Sequence, residues 1–295
     1  MVELYLQYEY WVAVVQLVLA MLGMGAGLQV SDFHKVVQQP KAVSLGLMMQ
    51  LIIVPLIAFG FILYTNLPPG MIIGIAIIAA IPGGAVSNIF TFLARGSVPL
   101  SISITALTSF ACLLTTPLIL NFLMADLMPP DFSMPSMQVA IEIGCCLLVP
   151  LLLGMNFLKK CPQYAQPFSS FCVRGSLLGI AIIVLGSLAA GRIDFSYASS
   201  TDLMLLCMFI LSLTIVGIFV TKTFGLSKAE NTAIEMEVVV RNINLGLLIK
   251  VSLFPAIAGQ SNPLANMVLL SLLSYGGWQL IMGFIFIMWR RRLVD

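Results

Sequence analysis

Two carboxylates and a guanidinium lie inside one apolar segment of the chain, the stretch from Glu235 to Asn242. A charged side chain is costly inside a bilayer, so it is retained only with a partner, an ion or a water-filled cavity. Glu237 is therefore our first candidate for a cation ligand. Glu235 lies two positions earlier, about 200° away around a helix. We expect it to pair with a neighbouring helix instead.

The composition identifies an integral membrane protein. Of the 295 residues, 60% are hydrophobic and only 9% are charged, with a mean hydropathy of +1.07. Soluble domains carry about 25% charged residues. Apolar runs of about 20 residues, the length of a membrane-spanning helix, recur along the chain. Strand-like alternation is absent, which predicts an all-α fold rather than a barrel.

The apolar runs predict nine spans in a single transmembrane domain covering residues 1–295. An odd number places the two termini on opposite sides of the membrane. One set of loops and the C-terminal tail hold ten basic residues, whereas the opposite loops hold only Arg192. The positive-inside rule then predicts an outer N-terminus and a cytoplasmic C-terminus in the cell membrane. Within spans, Arg174 and Lys250 are expected to snorkel towards the surface. The predicted spans are about 10–30, 42–64, 71–94, 98–124, 134–157, 167–190, 202–221, 229–254 and 264–289.

Two of these spans carry interruptions. Pro82-Gly83-Gly84 falls in the middle of the third span, where proline removes a backbone donor and glycine disfavours helix. The eighth span has a weaker interruption between Glu237 and Asn242. The loop charges give these spans opposite directions, an arrangement typical of inverted-repeat transporters with a site near the midplane.

Oxygen-bearing side chains cluster around both interruptions, and hard cations prefer oxygen ligands. Ser87 and Asn88 follow the first interruption, and Ser101 and Thr105 lie one turn apart in the fourth span. With Glu237 they predict a site for a monovalent cation. Two blander readings stay open: the Pro-Gly-Gly segment as a packing kink, and an i,i+4 ion pair between Glu237 and Arg241.

At these residues the chain resembles the bile acid:sodium symporter family, and the resemblance runs through nearly its whole length. The segments PGGAVSNIFTFLARGSVPLSISIT and EVVVRN carry it. The resemblance implies one sodium site at Ser87, Asn88, Ser101, Thr105 and Glu237. It implies a second at Gln50, Glu237 and the backbone carbonyls of Val238 and Val240, and a substrate site near Ala85 and Asn242.

The chain departs from the family pattern at three positions. Arg241 replaces a usual glutamine, Val239 a common glycine and Ala85 a frequent threonine. A guanidinium beside Glu237 would repel a second Na⁺ and supply the same charge. Our hypothesis is one sodium per cycle, with Arg241 as a built-in cation.

The resemblance also implies two moving parts, a core (about 42–124 and 202–289) and a panel (about 10–30 and 134–190). We therefore expect a sodium-coupled symporter of an organic anion, bile acid-like or a small carboxylate, working by alternating access. A proton-coupled or uncoupled carrier of the same fold is the alternative. A channel would need continuous conduction, which one acidic site suits less well. No further cofactor, nucleic acid or obligate protein partner is expected.

An enzyme is not expected. The sequence has no HExxH motif and no paired aspartates, and its single histidine, His34, is in a predicted loop.

Overall fold

The computed structural model describes residues 2–29, 31–32, 40–124, 134–194, 198–256 and 262–292, and most of these residues are in helices. His34 lies outside these residues. Over the described ranges no β-strand occurs. The helices are α1 (Val2–Gly25), α2 (Pro40–Tyr64), α3 (Pro69–Ala80), α4 (Ala85–Leu93), α5 (Val98–Met124), α6 (Ser136–Lys160), α7 (Pro162–Ala189), α8 (Ser200–Thr223), α9 (Lys228–Val239), α10 (Ile243–Leu253) and α11 (Pro263–Arg292).

Seven of these helices are long and apolar enough to cross a membrane: α1, α2, α5, α6, α7, α8 and α11. The protein is thus a multi-pass, all-helical membrane protein. α1 begins at Val2 and ends at Gly25, whereas the predicted span was 10–30. The early acids Glu3 and Glu9 lower the local hydropathy, but Glu9 is buried in ion pairs, so the helix extends through it.

The two remaining predicted spans are each divided. The span over 71–94 separates into α3 and α4 because Ile81 and Gly84 take extended backbone angles around Pro82. The span over 229–254 separates into α9 and α10, with Val240 in the extended region. Both divisions lie where the sequence predicted interruptions.

The helices form two groups by their packing. α7 packs on α1 and α6, and α1 also packs on α6; we call these the three-helix group. The other eight helices pack among themselves and form the eight-helix group. The two groups meet where α10 contacts α1 and α6, and where α5 contacts α6.

The structure tests what the sequence analysis expected of two charged side chains, Glu235 and Lys250. Glu235 of α9 is buried, pairs with Arg290 of α11, and accepts a hydrogen bond of 2.8 Å from Thr221 Oγ1 of α8. This confirms its expected pairing with neighbouring helices. The snorkelling expectation for Lys250 is wrong, since its side chain is fully buried and its Nζ lies 3.0 Å from Glu9 Oε1. The sequence could not show that α10 ends beside this carboxylate.

Replacing Glu235 by glutamine should lower the free energy of unfolding by about 3 kcal/mol, because Arg290 would stay buried without an anionic partner. The matched control is Glu230→Gln, in the exposed capping box of α9 with Ser227. Glutamine also serves in a capping box, so this change should cost less than about 1 kcal/mol. Denaturant unfolding of the purified proteins in detergent measures both, and equal losses would contradict the buried pair's role.

Candidate functional site

The two interruptions meet, and they satisfy each other's backbone. The amide of Asn242 donates to the carbonyl of Pro82 at 2.9 Å, and Gly83 forms an isolated antiparallel bridge with Arg241. The amide of Arg241 donates to Gln279 Oε1 of α11 at 2.8 Å. A break inside a membrane requires such substitutes, because lipid offers the backbone no hydrogen bonds.

The glycines at the first interruption permit this close approach. A Cβ atom on Gly83 would lie 2.2 Å from Glu237 Oε2, and one on Gly84 would lie 3.3 Å from the Cα of Asn242. Any side chain at position 83 would therefore displace the carboxylate. The Pro-Gly-Gly segment is thus fitted to Glu237 and is more than a packing kink.

The carboxylate of Glu237 is fully buried, at the end of α9. Its Oε1 accepts hydrogen bonds from Ser87 Oγ (2.6 Å), Ser101 Oγ (2.6 Å) and Thr105 Oγ1 (2.7 Å). Asn88 Oδ1 lies 2.8 Å from Ser101 Oγ and 3.4 Å from Thr105 Oγ1. The structure therefore brings together all five residues predicted for the first cation site.

The cluster has more oxygen acceptors than protons to share among them. Each hydroxyl carries one proton, yet Ser87 Oγ also lies 2.5 Å from the carbonyl of Gly84, and Thr105 Oγ1 lies 3.0 Å from that of Ser101. A hard cation would satisfy the surplus lone pairs. Across the described part of the chain, no group of three or more His, Cys, Asp or Glu residues could hold a metal.

Gln50 bridges the two charged residues of the junction. It sits in a π-helical turn, Met49–Ile53, just before Pro55. Its Nε2 donates to Glu237 Oε2 at 3.1 Å, and its Oε1 accepts from Arg241 Nη1 at 3.2 Å. Among the salt bridges of the described residues, none joins Glu237 to Arg241 directly. The i,i+4 ion pair is therefore wrong, because the helix ends at Val239, before Arg241.

Arg241 closes the carbonyl end of α3. Its Nε donates to the carbonyl of Ile78 at 3.2 Å, and its Nη2 donates to those of Ala79 (3.3 Å) and Ile81. The last carbonyls of a helix lack partners within it and carry the negative end of the helix dipole. A fixed cation therefore stands at this point, next to the predicted second site.

The other residues of the predicted second site lie at the same place. Val238 and Val240 are fully buried at the end of α9, on either side of Val239. In a continuous helix the amide of Asn242 would bond the carbonyl of Val238, but here it donates to Pro82. The role of the Val238 and Val240 carbonyls as ligands stays a prediction.

The two predicted substrate residues lie at the N-termini of the helices that follow the interruptions. Asn242 caps α10, with its Oδ1 accepting from the amide of Leu245 at 3.3 Å. Its Nδ2 is buried and has no hydrogen-bond partner. Ala85, partly exposed, begins α4. A spare amide donor beside the N-terminus of a helix is suited to an anion.

Sequence reasoning missed three residues of the site. Tyr275 and Gln279, one turn apart on α11, bond the carbonyl of Val239 (2.8 Å) and the amide of Arg241. Thr91 Oγ1 lies 3.2 Å from Ser101 Oγ. A polar pair at i and i+4 inside an apolar span is the signal that could have found the first two.

Residues 14–195 match the sequence profile of the Sodium Bile acid symporter family. The chain belongs to this family. The match includes Gln50 and all of the first interruption, and it ends before Glu237. Sodium-dependent transport across a membrane is thus the family's activity.

Several similar proteins have names that mention sodium. The chain is 28% identical to "Probable sodium/metabolite cotransporter BASS1, chloroplastic" of Oryza sativa subsp. japonica, over 78% of this chain and 55% of that one. It is 28% identical to "Uncharacterized sodium-dependent transporter YocS" of Bacillus subtilis (strain 168), over 60% and 56%. It is 29% identical to "Sodium-dependent organic anion transporter" of Bos taurus, over 64% and 49%. The chain spans about half the length of these relatives.

Replacing Gly83 by alanine should lower the unfolding temperature by several degrees, because the new methyl group would meet the Glu237 carboxylate. The matched control is Gly277→Ala, where an added Cβ meets nothing within 4 Å. Overpacking a buried site typically costs about 1–3 kcal/mol. Thermal unfolding in detergent compares the two variants, and equal unfolding temperatures would refute the tight junction.

Proposed function

We propose that this protein is a secondary symporter that couples Na⁺ to an organic anion. The observation that carries the proposal is the buried Glu237 carboxylate, one oxygen of which accepts from three hydroxyl groups, Ser87 of α4 and Ser101 and Thr105 of α5. Na⁺ would bind among Ser87, Asn88, Ser101, Thr105 and Glu237. The protein would act as a carrier and not as an enzyme.

Charge explains why the two solutes would move together. The formal charges of Glu237 and Arg241 sum to zero. Binding of one Na⁺ would therefore give the junction a net charge of +1. An anion beside Asn242 Nδ2 would restore neutrality, and its attraction to the bound cation is strong where water is excluded. Each ligand then raises the affinity for the other by the same factor. A monovalent organic anion fits this balance best.

The packing supports an alternating-access architecture. The three-helix group would form the panel and the eight-helix group the core, and the junction lies within the eight-helix group. We propose that substrate binds between the two helix groups. Each divided pair, α3 with α4 and α9 with α10, would cross the membrane once, which gives nine spans with the seven long helices. The N-terminus would face outward and the C-terminus the cytoplasm, as the loop charges indicate.

Uptake into proteoliposomes with imposed Na⁺ or pH gradients tests the coupling ion. A thermal-shift screen of organic anions with and without Na⁺ first selects the substrate. Glu237→Gln, Asn88→Ala and Ser101→Ala should each reduce Na⁺-driven uptake at least tenfold, since the first removes the site's negative charge and the other two each remove a ligand oxygen. Ser109→Ala is the matched control, because Ser109 is buried two turns further along α5 and its Oγ has no partner.

Full Na⁺-driven uptake by Glu237→Gln would refute the site. Uptake driven by a pH gradient alone would favour the proton-coupled alternative.

The role of Arg241 predicts the stoichiometry. Wild-type uptake against Na⁺ concentration should give a Hill coefficient near one, because the guanidinium already supplies the second positive charge. Arg241→Lys should keep this value. Arg241→Gln, which removes the charge but keeps a polar group, should raise the coefficient towards two or abolish uptake. A wild-type value near two would contradict the built-in cation.

A further inference from the structure

A second group of buried charges lies away from the junction. Glu9 of α1 is 2% exposed, Lys250 of α10 is 0% exposed and Arg192, which follows α7, is 7% exposed. Glu9 Oε1 lies 3.0 Å from Lys250 Nζ, and Glu9 Oε2 lies 2.7 Å from Arg192 Nη1. None of the three takes part in the proposed cation or anion site.

Only one of these ion pairs crosses between the two helix groups. Arg192 continues from α7, and its amide is held by the carbonyl of Ser187 at 2.8 Å, so the pair of Arg192 with Glu9 lies inside the three-helix group. Lys250 belongs to α10, in the eight-helix group. Its pair with Glu9 therefore connects the two parts.

Further polar contacts follow the same line between α10 and the three-helix group. Gln16 Nε2 of α1 donates to the carbonyl of Asn244 at 3.0 Å. Ser252 Oγ donates to Glu142 Oε1 of α6 at 2.9 Å. Glu9 meets the last turn of α10 and Gln16 meets its first, so α1 and α10 run antiparallel over about 9–10 Å.

We infer that the ion pair between Glu9 and Lys250 is a latch that holds α10 against α1 and must open during each transport cycle. The inference rests on the proposed alternating access. A buried ion pair is often no more stabilising than apolar residues of the same volume, so stability alone does not explain it. An interface that opens to water is different: separated charges become hydrated, whereas separated apolar faces would stay exposed.

The latch is physically connected to the proposed cation site. α10 begins at its cap, Asn242, whose amide bonds Pro82 at the junction, and carries Lys250 eight residues later, about 12 Å along the axis. A change at the junction that tilts α10 would move Lys250 relative to Glu9. Lys250 is thus a positioning residue for transport, acting through the helix that carries the site.

Thiol labelling of Ala13→Cys tests the latch without any transport assay. Ala13 is fully buried on α1 and lies between Glu9 and Gln16 on one face of the helix, so we expect a cysteine there to react faster when α10 separates from α1. The probe is a membrane-impermeant maleimide, applied to protein in lipid nanodiscs after the native cysteines are replaced by serine or alanine. Lys250→Met should raise the labelling rate at least fivefold, while Glu9 keeps its pair with Arg192.

Two controls separate an opened latch from a damaged protein. Arg192→Gln also removes one cation from Glu9, but inside the three-helix group, and should leave labelling of Ala13→Cys unchanged. In a second background that keeps only the native Cys172, buried against Gly23 between α1 and α7, Lys250→Met should not raise labelling.

The outcomes decide both proposals separately. Unchanged labelling of Ala13→Cys in Lys250→Met, equal increases with Arg192→Gln, or an accompanying rise at Cys172 would each overturn the latch. If labelling rises as expected but Na⁺ changes neither labelling nor thermal stability, the latch stands and the proposed sodium coupling fails.

Discussion

The structure depends on keeping one carboxylate, that of Glu237, inside a membrane protein without a direct cationic side chain beside it. Such a group is tolerated only when hydrogen bonds or an ion replace its hydration. Three hydroxyls and one side-chain amide converge on it, from α4, α5 and α2. The first break fits this requirement, because a glycine at position 83 leaves room for the carboxylate where a Cβ atom would lie 2.2 Å from Glu237 Oε2.

The helix breaks leave backbone groups that need new hydrogen-bond partners, and Arg241 supplies several of them. Ending α3 in the membrane leaves its last carbonyls without donors, and ending α9 removes acceptors from the following amides. The guanidinium supplies donors to the first set, and Pro82 and Gln279 accept from the second. Two broken helices therefore cost less together than either would alone, since each completes the other's hydrogen bonding.

The sequence predicted the features that depend on local chemistry. Proline and glycine mark the first interruption, and the oxygen-bearing residues near it are visible at their helical spacing. Features set by distant contacts were missed: the carbonyl partners of Arg241, the support from Tyr275 and the pairing of Lys250 with Glu9, some 240 residues away along the chain. Hydropathy also placed the start of α1 too late. Glu9 lowers the average hydropathy of its segment, and the sequence does not show that this carboxylate is buried in ion pairs.

α10 joins the two charged centres of the molecule, and this gives the proposed coupling a physical route. Its first turn is fixed to the junction through Asn242, and its last turn is fixed to α1 through Lys250. A short helix transmits tilt with little internal loss, because bending it would strain its backbone hydrogen bonds. If cation binding favours one arrangement of the junction, α10 must favour one arrangement of the latch. By linkage, opening the latch must then alter cation affinity by the same free energy.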